Sequence, residues 1–252
     1  MYAILLTFDE QVGFAELVYK KYMEMWPECP LIFRIPFNKK NKCKSYDYFY
    51  SQSNVELIKT GRPIRETMSN LLSDIPNDEW VFWCIDDRYP NFIYNNESCN
   101  DQLNFLYNSL NEVSSGIDRV KLIKHKEKIT EKQVVVGGKL KFLFGAEGSA
   151  HGAWHHSFTR AKQLKWEFLR KKLGADYKIN NLTYRKLNKK HYFQSVIPVK
   201  SLISFAEPCI SGKVTPNGLA ELKKYNCPIP NYKVHRFGKK FFHNGLVEKV
   251  YG

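Results

Sequence analysis

The chain has 252 residues, of which 43% are hydrophobic and 25% are charged, and this composition is typical of a globular protein with a substantial core. Lysine and arginine total 39 and aspartate and glutamate total 25, so the formal net charge is +14 and we expect an anionic partner. Charged residues interrupt every apolar run, which argues against a membrane-spanning helix, and the six scattered cysteines argue against a zinc knuckle or a disulfide framework.

The N-terminal half alternates short apolar runs with helical periodicity. Four predicted strands cover residues 2–8, 31–35, 54–58 and 79–85, and two predicted helices cover residues 14–25 and 64–72. The first run lacks the basic segment and the cleavage site of a secretory signal, so we interpret it as a strand and expect a cytoplasmic protein. This alternation over the first 115 residues predicts a mainly parallel sheet flanked by helices.

The pattern is less regular beyond residue 115. We predict strands over residues 120–124, 133–136 and 139–144, a helix over residues 158–173, and a hairpin that turns at Asn244 and Gly245. No internal repeat or low-complexity linker divides the chain. The sequence therefore predicts a single α/β domain over residues 1–252.

Two adjacent carboxylates follow the most apolar predicted strand. Trp80 to Ile85 leads directly into Asp86 and Asp87, and ligands of open α/β sheets bind at the carboxyl ends of strands. Neighbouring carboxylates repel each other unless a cation compensates them, and Mg²⁺ or Mn²⁺ would bridge such a pair to a diphosphate. An Asp-Asp turn with no ligand is the competing interpretation.

The helix over residues 64–72, the apolar strand and the Asp86-Asp87 pair together resemble the nucleotide-sugar half of GT-A-type bacterial glycosyltransferases. The resemblance implies a GT-A-like mixed sheet in which residues 1–115 bind the nucleotide sugar and residues 116–252 bind the acceptor. It also implies that Asp86 and Asp87 hold Mn²⁺ or Mg²⁺ on the donor diphosphate, with Asp87 as a catalytic residue and Asp86 as a nucleotide-sugar ligand. The implied nucleotide contacts at the end of the first strand are Thr7, Phe8 and Asp9.

Arginine side chains near this pair are candidate phosphate ligands. Arg65 lies in the first turn of the helix before the strand, and Arg88 follows the carboxylates directly. A guanidinium group matches the geometry of phosphate oxygens. We therefore include Arg65 among the nucleotide-sugar ligands, whereas Arg88 could equally neutralise Asp86.

A segment of small residues, Phe144 to His156, contains three histidines and one tryptophan. In the GT-A resemblance it corresponds to the acceptor loop, which makes Trp154 and His156 candidate acceptor contacts. The spacing of His151 and His155 also allows a helical metal pair, although Gly152 weakens a helix there and the segment is not His-Glu-x-x-His.

An inverting glycosyl transfer needs a carboxylate that deprotonates the acceptor hydroxyl. The candidates are Glu147 in the small-residue segment, Glu167 in the predicted helix and Asp176 after its end. The Glu-Asp pair common in inverting GT-A enzymes is missing from this sequence, so both the base and the stereochemical outcome stay open.

The sequence thus predicts a metal-dependent glycosyltransferase that acts on a nucleotide-sugar donor and a glycan or lipid-linked acceptor. The many lysines after residue 115 would favour peripheral association with an anionic membrane. A nucleotidyltransferase is the first alternative, although the segment directly after the first strand, residues 9–13, contains a single glycine, Gly13, instead of a glycine-rich phosphate loop. A basic nucleic-acid-binding protein ranks lower because the sequence contains none of the usual recognition motifs.

Overall fold

The computed structural model describes residues 1–39, 44–93, 99–124, 129–145, 155–169, 193–210, 213–234, 240–243 and 246–249. The described helices are α1 (Val12–Met25), α2 (Lys44–Tyr50), α3 (Ile64–Leu71), α4 (Cys99–Ser109), α5 (Ala161–Leu169) and α6 (Pro216–Lys224).

The described strands are distributed along the whole chain. The first eight are β1 (Tyr2–Leu6), β2 (Ile32–Phe37), β3 (Val55–Lys59), β4 (Trp80–Ile85), β5 (Tyr89–Ile93), β6 (Arg119–Lys121), β7 (Ile129–Val136) and β8 (Leu140–Gly145). The others are β9 (Ser157–Arg160), β10 (Ser195–Pro198), β11 (Ile203–Ala206), β12 (Cys209–Ile210), β13 (Lys213–Val214), β14 (Lys233–Val234), β15 (Lys240–His243) and β16 (Leu246–Lys249).

A nine-stranded sheet in the order β3-β2-β1-β4-β9-β6-β10-β8-β7 forms the centre of the molecule. β3, β2, β1 and β4 are mutually parallel, and so are β6 and β10. The pairings β4–β9, β9–β6, β10–β8 and β8–β7 are antiparallel. The mixed α/β sheet flanked by helices that the sequence predicts is therefore confirmed, with its parallel pairs concentrated in the N-terminal half.

The sheet is apolar on both faces because helices cover both. Every residue of β4 is buried, as expected for a central strand of a parallel sheet. One face packs Leu5 and Phe82 against α1 and α4 in a large core cluster, and the other face packs Ile4 and Trp83 against α3 and α5. The sequence motif at the end of β4 is therefore held on a strand enclosed by two hydrophobic layers.

Residues 158–160 form a strand, although the sequence predicts that a helix begins there. β9 pairs with both β4 and β6 through main-chain hydrogen bonds, and the ladder on both sides outweighs the helical spacing of its apolar residues. The helix starts only at Ala161, whose N–H donates to the carbonyl of Glu79 over 2.9 Å.

Smaller sheets complete the fold. β5 pairs with β11, and β12, β13 and β14 form a three-stranded sheet. β15 and β16 pair in antiparallel register, which confirms the predicted strand pairing near the C-terminus, whereas the predicted turn at Asn244 and Gly245 lies outside the described residues. Among the helices in the described ranges, none is both long enough and apolar enough to cross a bilayer.

Candidate functional site

The candidate site lies at the carboxyl edge of the parallel strands. Because β1, β2, β3 and β4 run in the same direction, the segments that follow them lie along one edge of the sheet. This edge is where open α/β sheets bind ligands, and it collects the predicted residues from the first and fourth strands.

Thr7 and Asp86 meet directly at this edge. β1 and β4 pair with Leu6 opposite Ile85, and the Asp86 N–H donates to the Leu6 carbonyl over 3.2 Å. The Thr7 hydroxyl then donates to Oδ2 of Asp86 over 2.6 Å, and both side chains are buried. The structure thus brings together two of the residues that the sequence predicts, and Thr7 acts as the hydrogen-bond partner of the carboxylate.

The two carboxylates have raised pKa values because they are buried side by side. Desolvation raises the pKa of Asp86 to about 8, the charge of Asp87 adds to this, and the hydrogen bond from Thr7 opposes it. Desolvation also raises the pKa of Asp87, against the opposing charge of Arg88. Oδ1 of Asp87 is buried without a hydrogen-bond partner in the described structure. A cation bound here would stabilise both ionised carboxylates and would give Oδ1 of Asp87 a partner.

Arg88 and Glu207 form an ion pair beside the carboxylates. Nη2 of Arg88 lies 3.1 Å from Oε1 of Glu207, and both side chains are partly exposed. The pairing of β5 with β11 brings these residues together, since Arg88 precedes β5 and Glu207 follows β11. The site therefore contains one guanidinium group within reach of solvent and next to Asp87.

Asp9 organises the neighbouring loops. Its Oδ1 accepts the main-chain N–H of Asn38 over 3.0 Å and the hydroxyl of Tyr46 over 2.6 Å, and its Oδ2 accepts the N–H of Lys39 over 2.9 Å. The side-chain amide of Asn38 donates to the carbonyl of Gly61 over 2.7 Å. Asp9 thus ties the ends of β1, β2 and β3 together, and both of its oxygens are engaged within the protein.

Phe8 and Arg65 are the predicted ligands with accessible side chains. Phe8 is 44% exposed although it is a large aromatic residue. Arg65 lies in α3 with a half-buried side chain, and among the described residues it makes no hydrogen bond or ion pair. Both are therefore available to a ligand at the strand ends.

His156 does not face an acceptor in this structure. The side chain has no exposed surface, and its ring nitrogens contact the Tyr22 hydroxyl and the main chain of Ile85. Desolvation lowers its pKa to about 3, so the imidazole is neutral. His156 therefore lies inside the protein, next to the residue that precedes the carboxylate pair, and not at a surface where an acceptor could contact it.

Glu167 is likewise unsuited to act as a general base. Its carboxylate is fully buried and lies 2.9 Å from Nη2 of Arg119, whose side chain is also fully buried. Enclosed in this buried ion pair, the carboxylate has no exposed surface at which a substrate hydroxyl could reach it. Glu147, Trp154, Asp176 and His151 lie outside the described residues. Within the described ranges, no group of three or more His, Cys, Asp or Glu residues forms a metal cluster.

Two residues at the site were not predicted from the sequence. Glu207 reaches Arg88 only through the β5–β11 pairing, which spans more than one hundred residues and has no local pattern. Tyr22 lies within the predicted helix over residues 14–25, but its contact with His156 depends on how α1 packs on the sheet. The helical spacing of residues 14–25 is the sequence signal that bears on Tyr22, and no local sequence signal indicates Glu207.

No family model matches this chain, and no curated protein matches it. Similar solved structures include a Francisella tularensis 2-C-methyl-D-erythritol 4-phosphate cytidylyltransferase, at 15% identity and a TM-score of 0.46, over 89% of this chain and 97% of that chain. S. aureus TarS is 10% identical with a TM-score of 0.47, over 80% of this chain and 59% of that chain.

A third similar structure is the galactosyltransferase LgtC in complex with donor and acceptor sugar analogs. It is 10% identical with a TM-score of 0.41, over 77% of this chain and 67% of that chain. At these identities and TM-scores, the three similarities do not show a family or an activity for this chain.

Proposed function

We propose that the chain is a metal-dependent glycosyltransferase that moves a sugar from a nucleotide-sugar donor to a glycan or lipid-linked acceptor. The observation that carries the proposal is the buried pair Asp86 and Asp87 at the carboxyl edge of the sheet, where both pKa values are raised by burial. Two buried carboxylates without a compensating cation are destabilising, so their presence at a ligand-binding edge points to a cation that arrives with the substrate.

The residues at this edge fit Mg²⁺ or Mn²⁺. Carboxylate oxygens are the ligands that these ions prefer, and substrate phosphates and water commonly complete their coordination. The partnerless Oδ1 of Asp87 supplies one such oxygen. When bound, the metal would neutralise the negative charge that develops on the leaving nucleoside diphosphate. Thr7 holds the Asp86 carboxyl group in a fixed orientation through its 2.6 Å hydrogen bond.

The neighbouring side chains suit the rest of a nucleotide sugar. The exposed ring of Phe8 offers a surface on which a base can stack. Arg88 and Arg65 supply guanidinium groups for the phosphates. Asp9 sets the positions of residues 38 and 39 and so shapes the base pocket through the main chain.

The acceptor half of the proposal assigns the acceptor contact to Trp154 and the general base to Glu147 or Asp176. An aromatic ring can pack on a sugar face, and a carboxylate can take the proton of an acceptor hydroxyl. Asp87 serves the reaction from the donor side, where it would hold the metal ion that binds the donor diphosphate.

Nucleotidyl transfer is the second candidate, because a metal-bound carboxylate pair also suits a nucleoside triphosphate. The segment after β1 argues against it. A side chain at Gly13 would overlap the main-chain carbonyl of Pro228, so this glycine is packed against protein. It is therefore not free to form the phosphate-binding loop that such enzymes usually carry after the first strand.

Asp87→Asn tests the proposal, with Asp78→Asn as the matched control. Asp78 is an exposed carboxylate two residues before β4, at the opposite end of the same strand. We expect Asp87→Asn to abolish Mn²⁺-dependent hydrolysis or transfer from a panel of UDP-, GDP- and CMP-sugars, and Asp78→Asn to retain it. Full activity of Asp87→Asn would refute the metal assignment, and release of pyrophosphate from nucleoside triphosphates by the wild type would favour the second candidate.

A further inference from the structure

The ladder between β4 and β9 stops just before the carboxylate pair. The last paired residues are Trp83 and Ser157, where β9 begins. β4 continues to Ile85, and on its other side it stays paired with β1 as far as Leu6. The Asp86 N–H donates to the Leu6 carbonyl, and main-chain groups of successive strand residues point to opposite sides. The N–H and carbonyl of Ile85 therefore face the gap beyond β9.

The His156 side chain occupies this gap. Its Nε2 lies 3.0 Å from the Ile85 carbonyl oxygen and 3.2 Å from the Ile85 nitrogen. Ile85 is only 3% exposed and His156 is fully buried, so bulk solvent does not reach these main-chain groups. The imidazole thus replaces the next rung of the ladder with a side-chain hydrogen bond.

Tyr22 and Phe205 fix the orientation of this imidazole. The Tyr22 hydroxyl lies 2.7 Å from Nδ1 of His156, and the Phe205 ring packs edge-on with its centroid 4.6 Å away. When Tyr22 donates to Nδ1, Nε2 carries the proton and donates to the Ile85 carbonyl. Three elements, α1, β4 and β11, therefore meet at one neutral histidine directly behind Asp86.

We propose that His156 is a positioning residue of the donor site, which fixes the end of β4 and thereby the orientation of the Asp86–Asp87 turn, with Tyr22 selecting its tautomer. This inference rests on the proposed function for its consequence in catalysis. A purely space-filling role would be served by a leucine or phenylalanine, which could not donate a hydrogen bond to the Ile85 carbonyl.

Tyr22→Phe tests the inference, with Tyr19→Phe as a matched control. Both tyrosines lie in α1, both are buried, and each substitution removes a hydroxyl that makes a hydrogen bond. Tyr19 donates over 2.5 Å to Asn54. Asn54 immediately precedes β3 and so lies at the amino ends of the parallel strands, away from the carboxyl ends that carry Asp86 and Asp87. The two variants therefore differ in which edge of the sheet they perturb.

Two readouts separate positioning from general stability. We expect Tyr22→Phe to speed hydrogen exchange at the amides of residues 84–87 about tenfold and to weaken Mn²⁺-dependent UDP binding about tenfold. Tyr19→Phe should lower the melting temperature without either effect. His156→Leu should exceed Tyr22→Phe in both readouts, and His156→Gln, whose amide can donate to the Ile85 carbonyl, should recover part of the loss.

The outcomes distinguish this inference from the proposed function. If the wild type binds UDP with Mn²⁺ and Tyr22→Phe matches Tyr19→Phe in both readouts, the positioning role is overturned and the proposed function stands. If the wild type binds none of UDP, GDP, CDP or CMP, the proposed function fails. Hydrogen exchange then still decides whether His156 fixes the end of β4. If the amides of residues 84–87 exchange as slowly in Tyr22→Phe and His156→Leu as in the wild type, the positioning role of His156 is refuted.

Discussion

Burial of the adjacent carboxyl groups of Asp86 and Asp87 costs folding free energy at the carboxyl end of β4. Asp86 is the more buried of the two, and desolvation raises its pKa to about 8, while its hydrogen bond from Thr7 recovers part of the cost. Desolvation raises the pKa of Asp87, the positive charge of Arg88 lowers it, and the negative charge of Glu207 raises it. The residues around the pair therefore reduce the repulsion without removing it, which leaves the site selective for a cation.

Asp86→Asn should stabilise the protein while it abolishes activity. A carboxyl group whose folded pKa lies above its unfolded value destabilises the folded state at pH values above the unfolded pKa, because ionisation is disfavoured in the fold. The amide has no such cost, and its oxygen still accepts from Thr7. We expect a gain of about 1–2 kcal/mol in urea unfolding at pH 7.5. A loss of stability would show that the pair is already compensated within the protein.

Glu207→Gln should strengthen nucleotide binding. The substitution frees Arg88 from its ion pair and removes a negative charge that raises the pKa of Asp87. We expect about a two- to fivefold lower dissociation constant for UDP with Mn²⁺ by titration calorimetry, as a partly exposed ion pair is weak. Glu221→Gln, which loses a similar ion pair to Lys21, should bind as the wild type does. Weaker binding by Glu207→Gln would mean that Glu207 holds Arg88 in its working position.

At the scale of elements, the site is assembled where strands end and where one ladder stops. β1 and β4 bring Thr7 to Asp86 through parallel pairing, and the β5–β11 pair brings Glu207 to Arg88. His156 joins α1 to the buried end of β4 that β9 does not pair. The geometry of the pair therefore depends on contacts between elements that are distant in sequence.

The neutral His156 should make the fold sensitive to acid. Its folded pKa, about 3 because of burial, lies below the unfolded value of about 6.5. Unfolded chains therefore take up a proton as the pH falls through 6.5, while the folded chain does not, and this contribution to stability is lost between pH 6.5 and 3. We expect the wild type to lose about 2 kcal/mol more than His156→Gln between pH 7.5 and pH 5. Parallel losses in urea unfolding would contradict a neutral buried imidazole.

The start of α1 should tolerate no side chain at Gly13. An added methyl group would overlap the Pro228 carbonyl, and overpacking of this kind costs about 1–3 kcal/mol. Gly13→Ala should therefore lower the free energy of unfolding in urea, even though alanine favours helix. Gly116→Ala is the control, because its added methyl group would meet nothing closer than 3.8 Å. Equal stability of the two variants would show that residue 228 moves freely away from α1.

The sequence predicts the N-terminal sheet well because each strand there is a continuous apolar run between turn residues. β1, β2, β3 and β4 all lie within a residue or two of their predicted bounds, and Asp86 follows the last of them as expected. Elements whose form depends on partners were missed: α2 is rich in aromatic residues that disfavour helix, and β9 has helical spacing but is held in a ladder on both sides. The side-chain roles of Asp9 and His156 were missed for the same reason, since both depend on contacts across the fold.

At the scale of the whole molecule, the positive charge favours anionic partners. Exposed lysines on the pair of strands β7 and β8, at one end of the nine-stranded sheet, include Lys132, Lys139 and Lys141. Each lysine near an anionic membrane contributes about 1 kcal/mol of attraction. A protein that uses a lipid-linked acceptor would gain from this attraction at the membrane surface.

Binding to anionic vesicles should therefore depend on salt. We expect the protein to sediment with phosphatidylglycerol vesicles at low ionic strength, to be released at high ionic strength, and to ignore phosphatidylcholine vesicles. Charge reversal at Lys132, Lys139 and Lys141 should weaken the binding. Tight, salt-sensitive binding to DNA or RNA with no binding to vesicles would instead favour a nucleic-acid partner.

A thermal-shift measurement with UDP, GDP, CDP and CMP, each with and without Mn²⁺, tests directly whether Asp86 and Asp87 form a metal–nucleotide site. A ligand that binds only the folded state raises the melting temperature by mass action, and saturation at about 100 times the dissociation constant adds about 2.7 kcal/mol. We predict a shift with one nucleotide that requires Mn²⁺ and is lost in Asp87→Asn. The absence of a shift with all four nucleotides in the presence of Mn²⁺ would contradict the assignment of Asp86 and Asp87 to a metal–nucleotide site.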